Sequence, residues 1–241
     1  MKDFTIEGTI LTHYTGTDEH VIIPDGVTEI GEDAFFMCEE LEVLEIPEGV
    51  VKMHENAIGE CPNFKKVIIP ASMQEMELAF YECKSLEEAV LCEGLTRVSQ
   101  STFWYCSNLK KVIFPKSLKK IDEFAFSGCS SLEEINLPDG LEVISDDAFA
   151  DCVGLTKVIF PNGIKKIGTS SFTGCSNLSE VLIPAGVEKI GKAPFYLSGN
   201  KNLTVYCEDE QKPALWHKDW DVYDGLVFKK RFTPVWGFKI K

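Results

Sequence analysis

Residues 115–138 read PKSLKKIDEFAFSGCSSLEEINLP, and most of the chain repeats this unit. Its apolar positions are Leu118, Ile121, Phe126, Cys129, Leu132, Ile135 and Leu137. Aligning on the proline gives Pro24, Pro47, Pro70, Cys92, Pro115, Pro138, Pro161 and Pro184, with steps of 23 residues and a single step of 22. We number these units coils one to eight. A fixed period in this range is the signature of stacked repeats, in which each coil hides its apolar face only against its neighbours.

The columns continue through the unit. Phe35, Ile58, Phe80, Phe103, Phe126, Phe149, Phe172 and Phe195 form one. Cys38, Cys61, Cys83, Cys106, Cys129, Cys152 and Cys175 form another, with Ser198 in the eighth coil. Leu41, Phe64, Leu86, Leu109, Leu132, Leu155 and Leu178 follow three residues after each cysteine. The short step is a one-residue loss in coil three, before Cys83. The segment L-x-x-V-x-I-P ends in a period-two alternation, which predicts a short strand stopped by proline. Glycine two places later, as at Gly49, Gly94 and Gly140, supplies a turn. The A-F-x-x-C segment predicts a short helical or 3₁₀ turn on the opposite side.

Residues 141–175 carry Leu141, Ile144, Ala148, Phe149, Cys152, Leu155, Pro161, Gly163, Ile167, Gly168, Phe172 and Cys175. This pattern resembles the BspA-like leucine-rich repeat, and the resemblance extends over roughly residues 21–207. It implies a β-rich α/β solenoid, a right-handed leucine-rich-repeat superhelix with a parallel sheet. It also implies a role in binding, commonly at bacterial cell surfaces, and it brings no catalytic motif. The expected division is an N-terminal cap over residues 1–20, a solenoid over 21–207 and a C-terminal cap over 208–241, all in one structural domain. At ~4.8 Å per strand, eight coils span on the order of 40 Å.

The 241 residues carry 24 Lys and Arg against 38 Asp and Glu, a formal charge of −14. Residues 212–241 hold seven Lys or Arg and three Asp, a balance of +4, so the remainder carries −18. An acidic body argues against nucleic acid, which needs a clustered basic footprint. No apolar run is long enough to span a membrane, and the N-terminus has neither the basic start nor the apolar core of a signal peptide. The chain therefore reads as cytosolic, or as the mature part of an exported protein, and the family resemblance favours the cell surface.

Seven of nine cysteines fall in one column, Cys92 and Cys207 stand apart, and no C-x-x-C pair exists. Zinc spacing is thus missing, and the thiols read as small buried plugs rather than disulfides. His13, His20, His54 and His217 are scattered, and no phosphate loop, dinucleotide motif or nucleophile elbow is present. The expectation is a non-enzyme with no cofactor or metal.

Two features of the strand segment bear on binding. Glu42, Lys65, Glu87, Lys110 and Glu133 alternate in charge, and Lys66, Glu88, Lys111, Glu134 and Lys157 do the same one place later. In a parallel in-register stack these become lateral neighbours, which predicts a charge ladder running through coil five. That ladder would give Glu133 and Glu134 lysine partners. The next outward place holds Glu45, Ile68, Val90, Ile113, Asn136, Ile159 and Leu182. Exposed aliphatic patches mark contacts, so Ile68, Val90, Ile113, Ile159 and Leu182 are the candidate residues for a protein or surface-glycan partner. Trp104 and Tyr105, beside the short coil, add an aromatic candidate. In the C-terminal region, Pro213 predicts a helix over ALWHKDW with Trp216 and Trp220 on one face, and Asp224-Gly225 predicts a hairpin turn. An alternative function follows from these rings: a spacer or self-assembling unit that uses an aromatic C-terminal cap.

Overall fold

The structure is a computed structural model that describes residues 3–199, 203–224, 230–231 and 233–239. The chain winds as a parallel-sheet solenoid of about eight turns. Strands are numbered in chain order. The first sheet comes from the predicted segment: β3 (His20–Ile22), β5 (Val43–Glu45), β7 (Lys66–Ile69), β8 (Glu88–Leu91), β10 (Lys111–Ile113), β13 (Lys157–Ile159), β15 (Glu180–Ile183), β17 (Thr204–Cys207) and β20 (Val235–Trp236). A second sheet lies on another side of each coil: β2 (Ile10–Tyr14), β4 (Glu29–Ile30), β6 (Lys52–Met53), β9 (Arg97–Val98), β11 (Lys120–Ile121), β12 (Val143–Ile144), β14 (Lys166–Ile167) and β16 (Lys189–Ile190). At the N-terminal end β1 (Phe4–Glu7) folds back antiparallel on β2, with Gly8 at φ +65° in the turn.

The core is one continuous cluster built from the repeat columns. Each member of the phenylalanine column, Ile58 included, is fully buried. From Phe80 to Phe195 the rings stack with centroids 5.2–5.8 Å apart. Burying one such side chain contributes roughly 1.5–3 kcal/mol, and offset ring pairs add about 0.5–1.5 kcal/mol. Coil two exchanges two residues: Ile58 takes the ring position and Phe64 takes the leucine position, and Phe64 stacks on Phe80 at 6.3 Å. Ring and aliphatic side chain have traded columns, so the layer keeps its volume.

The A-F-x-x-C segments are not helical. They are runs of turns, and no α-helix occurs among the described residues. The reason is lateral hydrogen bonding. In coil four the amides of Ser101, Phe103 and Tyr105 donate to the carbonyls of Glu123, Ala125 and Ser127 in coil five, at 3.0, 2.9 and 2.8 Å. A helix would direct those amides along its own axis. Here Ser101 (φ 53°) and Tyr105 (φ 58°) are left-handed, which turns alternate amides sideways. Fourteen non-glycine residues among those described share this geometry, including Leu78 and Phe124. Each costs about 1–2 kcal/mol for an L residue. The coil-to-coil bonds, which satisfy otherwise buried amides, offset that cost.

Each sheet is interrupted once along the stack. Met53 to Ile58 spans five positions but Met76 to Phe80 spans four, so the missing residue of coil three falls there. The second sheet stops at that point: beyond β6 only an isolated Lys52–Glu75 bridge remains, and a new sheet starts at β9. The first sheet passes coil three intact, with Lys66 opposite Glu88. It breaks instead at coil five. It runs β3-β5-β7-β8-β10, and resumes as β13-β15-β17-β20, while residues 132–137 between them form no strand.

The C-terminal region departs from the predicted helix. ALWHKDW forms turns. Trp216 and Trp220 are both buried, with ring centroids 4.8 Å apart, and each lies 5.9 Å from Trp236. The Trp216 indole donates to the Val187 carbonyl at 2.9 Å. Packing against coil eight, rather than helix propensity, sets this conformation. β18 (Val222–Asp224) and β19 (Lys230–Arg231) pair antiparallel, and the expected Asp224-Gly225 turn falls on residue 225, outside the described residues.

Candidate interaction surface

The first sheet presents its outward side chains to solvent, and register decides which ones meet. Ile68 lies beside Val90, and Val90 beside Ile113. Across the break, Ile159 lies beside Leu182, and Leu182 beside Tyr206. Ile113 and Ile159 are 41% and 47% exposed, and Ile68 and Val90 are half-buried. Leu182 differs from expectation: at 7% exposure it is covered. It sits next to Tyr206, whose ring packs on Phe238 at 4.7 Å, so bulky neighbours close this end of the stripe.

Charges flank the stripe as a ladder in coils one to four. Lys65 pairs with Glu42 at 2.5 Å and Lys110 with Glu87 at 3.0 Å. Glu88 sits between Lys66 and Lys111 at 3.5 and 3.4 Å. The expected continuation into coil five does not form. Among the described residues Glu133 and Glu134 have no ion-pair partner, and Lys157 turns to Glu180 at 3.0 Å instead. The loss of strand register in coil five removes the lateral neighbour that each glutamate needed. On the second sheet Asp122 is buried between Arg97 and Lys120, the latter at 2.7 Å. Glu142 accepts from Lys165 at 2.8 Å, which holds its carboxyl below the usual range.

A cleft of about 440 Å³ opens at the break, between coils five and six. Glu134, Ile135, Asn136, Leu137, Lys157 and Ile159 line it. The inward side chains nearby are incompletely covered: Val112, Phe114, Ile135 and Leu137 are half-buried, whereas Val67, Ala89 and Val158 at the same place are fully buried. Sequence columns treat Ile135 and Leu137 as ordinary core, so this opening was missed. The available signal was Asn136. Asparagine is a poor strand former whose side chain competes for main-chain bonds, and the other coils have Glu, an aliphatic residue or, in coil eight, Tyr206 there. Bulk adds to the effect. Phe114 and Phe160 flank Leu137 in the neighbouring coils, and their rings meet Phe126 and Phe172 edge-on at 5.7 and 5.6 Å.

On the turn side, Trp104 packs against Tyr81 at 5.2 Å, Tyr105 at 5.3 Å and Phe124 at 6.1 Å. Trp104 is half-buried and Tyr105 is 44% exposed. A second cleft of about 420 Å³ runs alongside, between Phe36 and Tyr81. Trp104 and Tyr105 therefore sit apart from the strand-face candidates.

The cysteine column serves the stack. Sγ of Cys106, Cys129, Cys152 and Cys175 lies 3.1–3.3 Å from the carbonyl oxygen of the phenylalanine one coil back, and the Ser198 hydroxyl repeats the bond at 2.6 Å. All nine cysteines are free. Burial pushes the Cys83 thiol up to about 12 and raises Cys106, Cys129 and Cys175 well above the ordinary range, so none of these four is a ready nucleophile. Among the described residues no group of three or more His, Cys, Asp or Glu is placed to hold a metal. Among the described residues no helix is long and apolar enough to cross a membrane.

The sequence profile of the BspA type leucine rich repeat region matches residues 13–123 and 96–211. Among solved structures the chain is similar to a leucine-rich repeat protein of T. pallidum, at 26% identity over 85% of this chain and 78% of that one, with TM-score 0.46. It is also similar to a leucine-rich repeat protein of Bacteroides ovatus, at 24% identity over 83% and 66%, with TM-score 0.49. The pneumococcal vaccine antigen PcpA is 20% identical over 80% of this chain and 57% of that one, with TM-score 0.47. No curated protein sequence matches the chain.

Proposed function

Since the chain belongs to the BspA-type leucine-rich repeat family, we propose that it is a non-catalytic binding module whose partner, a protein, docks on the first sheet over Ile68, Val90, Ile113 and Ile159. The observation that carries this reading is the lateral alignment of Ile68, Val90 and Ile113 on the outward face of the first sheet. An aliphatic stripe bordered by paired charges matches the apolar centre and polar rim of protein interfaces. Leu182 is excluded from the contact by its burial. A surface glycan is the second reading, favoured by the rings of Trp104 and Tyr105 on the turn side. The self-assembly alternative draws less support, because Trp216 and Trp220 face inward.

The test compares the wild-type chain with an Ile68→Asp/Ile113→Asp variant in capture from envelope and cytosol fractions. Both positions are outward, so the variant should keep its melting temperature while losing the specific protein. Equal capture by both chains removes the stripe from consideration. Retention of a glycan by wild type and its loss in Trp104→Ala/Tyr105→Ala would shift the assignment to the turn side.

A further inference from the structure

We propose that the break in the first sheet at coil five is a docking slot for an extended, basic peptide, which adds as a strand beside residues 134–137. The inference goes beyond the stripe reading and does not depend on it. Four observations converge on this slot. First, no hydrogen bond joins the main-chain amides or carbonyls of Glu134, Ile135, Asn136 and Leu137 to any described residue, while the equivalent stretch in coil two is paired on both sides. β10 and β13 each end a sheet at this gap, so their facing edges are open as well. A row of unpaired main-chain groups is a template for another chain. Second, the cleft of about 440 Å³ lies along that row. Third, Ile135 and Leu137 are reachable from it, so alternate side chains of an added strand have apolar ground to cover.

Fourth, charge selects the occupant. Glu134 and Asp139 line the cleft, Glu133 precedes it in the chain, and Glu133 and Glu134 carry no ion pair among the described residues. Lys157 also lines the cleft but is paired with Glu180, and Lys111 is paired with Glu88. The slot is therefore acidic, and lysine or arginine on the incoming strand completes the pairs that the ladder lacks. A small apolar molecule would leave the amides and both carboxylates unanswered, whereas an extended basic peptide meets them all.

The experiment is amide hydrogen exchange on the full chain, with and without a capped hexapeptide of alternating lysine and valine. In the free chain, amides 134–137 exchange quickly and those of 66–69 slowly. The peptide slows 134–137 selectively. A version N-methylated at alternate residues, a glutamate–valine version, and the chain variant Glu133→Gln/Glu134→Gln each weaken binding by about tenfold or more. Amides 134–137 as protected in the free chain as 66–69 would overturn the proposal, because the slot would be closed. So would equal binding of the N-methylated peptide. Protection that rises with protein concentration and no peptide assigns the slot to a second copy and overturns the peptide. Ile68→Asp leaves the peptide affinity unchanged, so failure of the stripe and failure of the slot are separately visible.

Discussion

The exchange of Ile58 and Phe64 in coil two provides a quantitative test of column packing. Both side chains are fully buried, and Phe64 stacks on Phe80 at 6.3 Å. Phe64→Leu alone removes a ring and its stack and leaves a partial void, at a cost of about 1–2 kcal/mol. Ile58→Phe alone forces a ring into a layer that already holds Phe64, at about 1–3 kcal/mol. Together the two changes restore the arrangement of coils three to eight, with the new ring at position 58 between Phe35 and Phe80. The double variant should fall within about 1 kcal/mol of wild type, a coupling of roughly 2–3 kcal/mol. Guanidinium unfolding at 25 °C followed by far-ultraviolet circular dichroism measures all four chains. Destabilisation in the double variant equal to the sum of the singles would refute the reasoning, since it would mean that the two columns do not share one volume.

Ser171 occupies the column held by Ala125 and Ala148, and its buried hydroxyl finds no hydrogen-bond partner among the described residues. Ser171→Ala should therefore stabilise the chain by about 0.5–2 kcal/mol, and a lower unfolding midpoint would contradict this. Burial and the neighbouring Asp146 and Asp151 raise the carboxyl of Asp147. Its charged form is thus disfavoured in the folded chain. Asp147→Asn should raise the melting temperature at pH 7, and the gain should fade as pH drops through the raised carboxyl range to below the ordinary one; a gain of equal size at pH 3 would show another cause. The column thiols Cys106, Cys129, Cys152 and Cys175 are buried, whereas Cys92 is half-exposed. Iodoacetamide at pH 8 should modify Cys92 in the native chain and reach the column only in denaturant, with mass spectrometry as the readout; column labelling at the rate of Cys92 would show an opening stack.

Much of this molecule is written in its period. Phe126, Cys129 and Leu132 recur at fixed intervals, and a column of buried residues at such intervals has one economical solution, in which like lies on like. The two-residue alternation before each proline likewise fixed where the first sheet would form. The conformation of the A-F-x-x-C turns was not legible in the same way. Their left-handed residues, such as Leu78 and Phe124, are unfavourable locally and hold only because the adjacent coil accepts alternate amides of the row, as Asp146 accepts that of Phe124 and Thr102 that of Phe80. The ALWHKDW segment fails as a helix for a related reason, since Trp216 and Trp220 find more burial against coil eight and each other.

The sequence by itself determined the stack, its columns and the identity of the outward aliphatic residues, because these depend on periodicity and side-chain chemistry. Only the tertiary structure decided that Leu182 is covered, that Glu133 and Glu134 lack their lysines, and that the first sheet opens at coil five. Those outcomes depend on the registers of three adjacent coils at once, and on how far Phe114, Leu137 and Phe160 can share one layer, which no single repeat encodes.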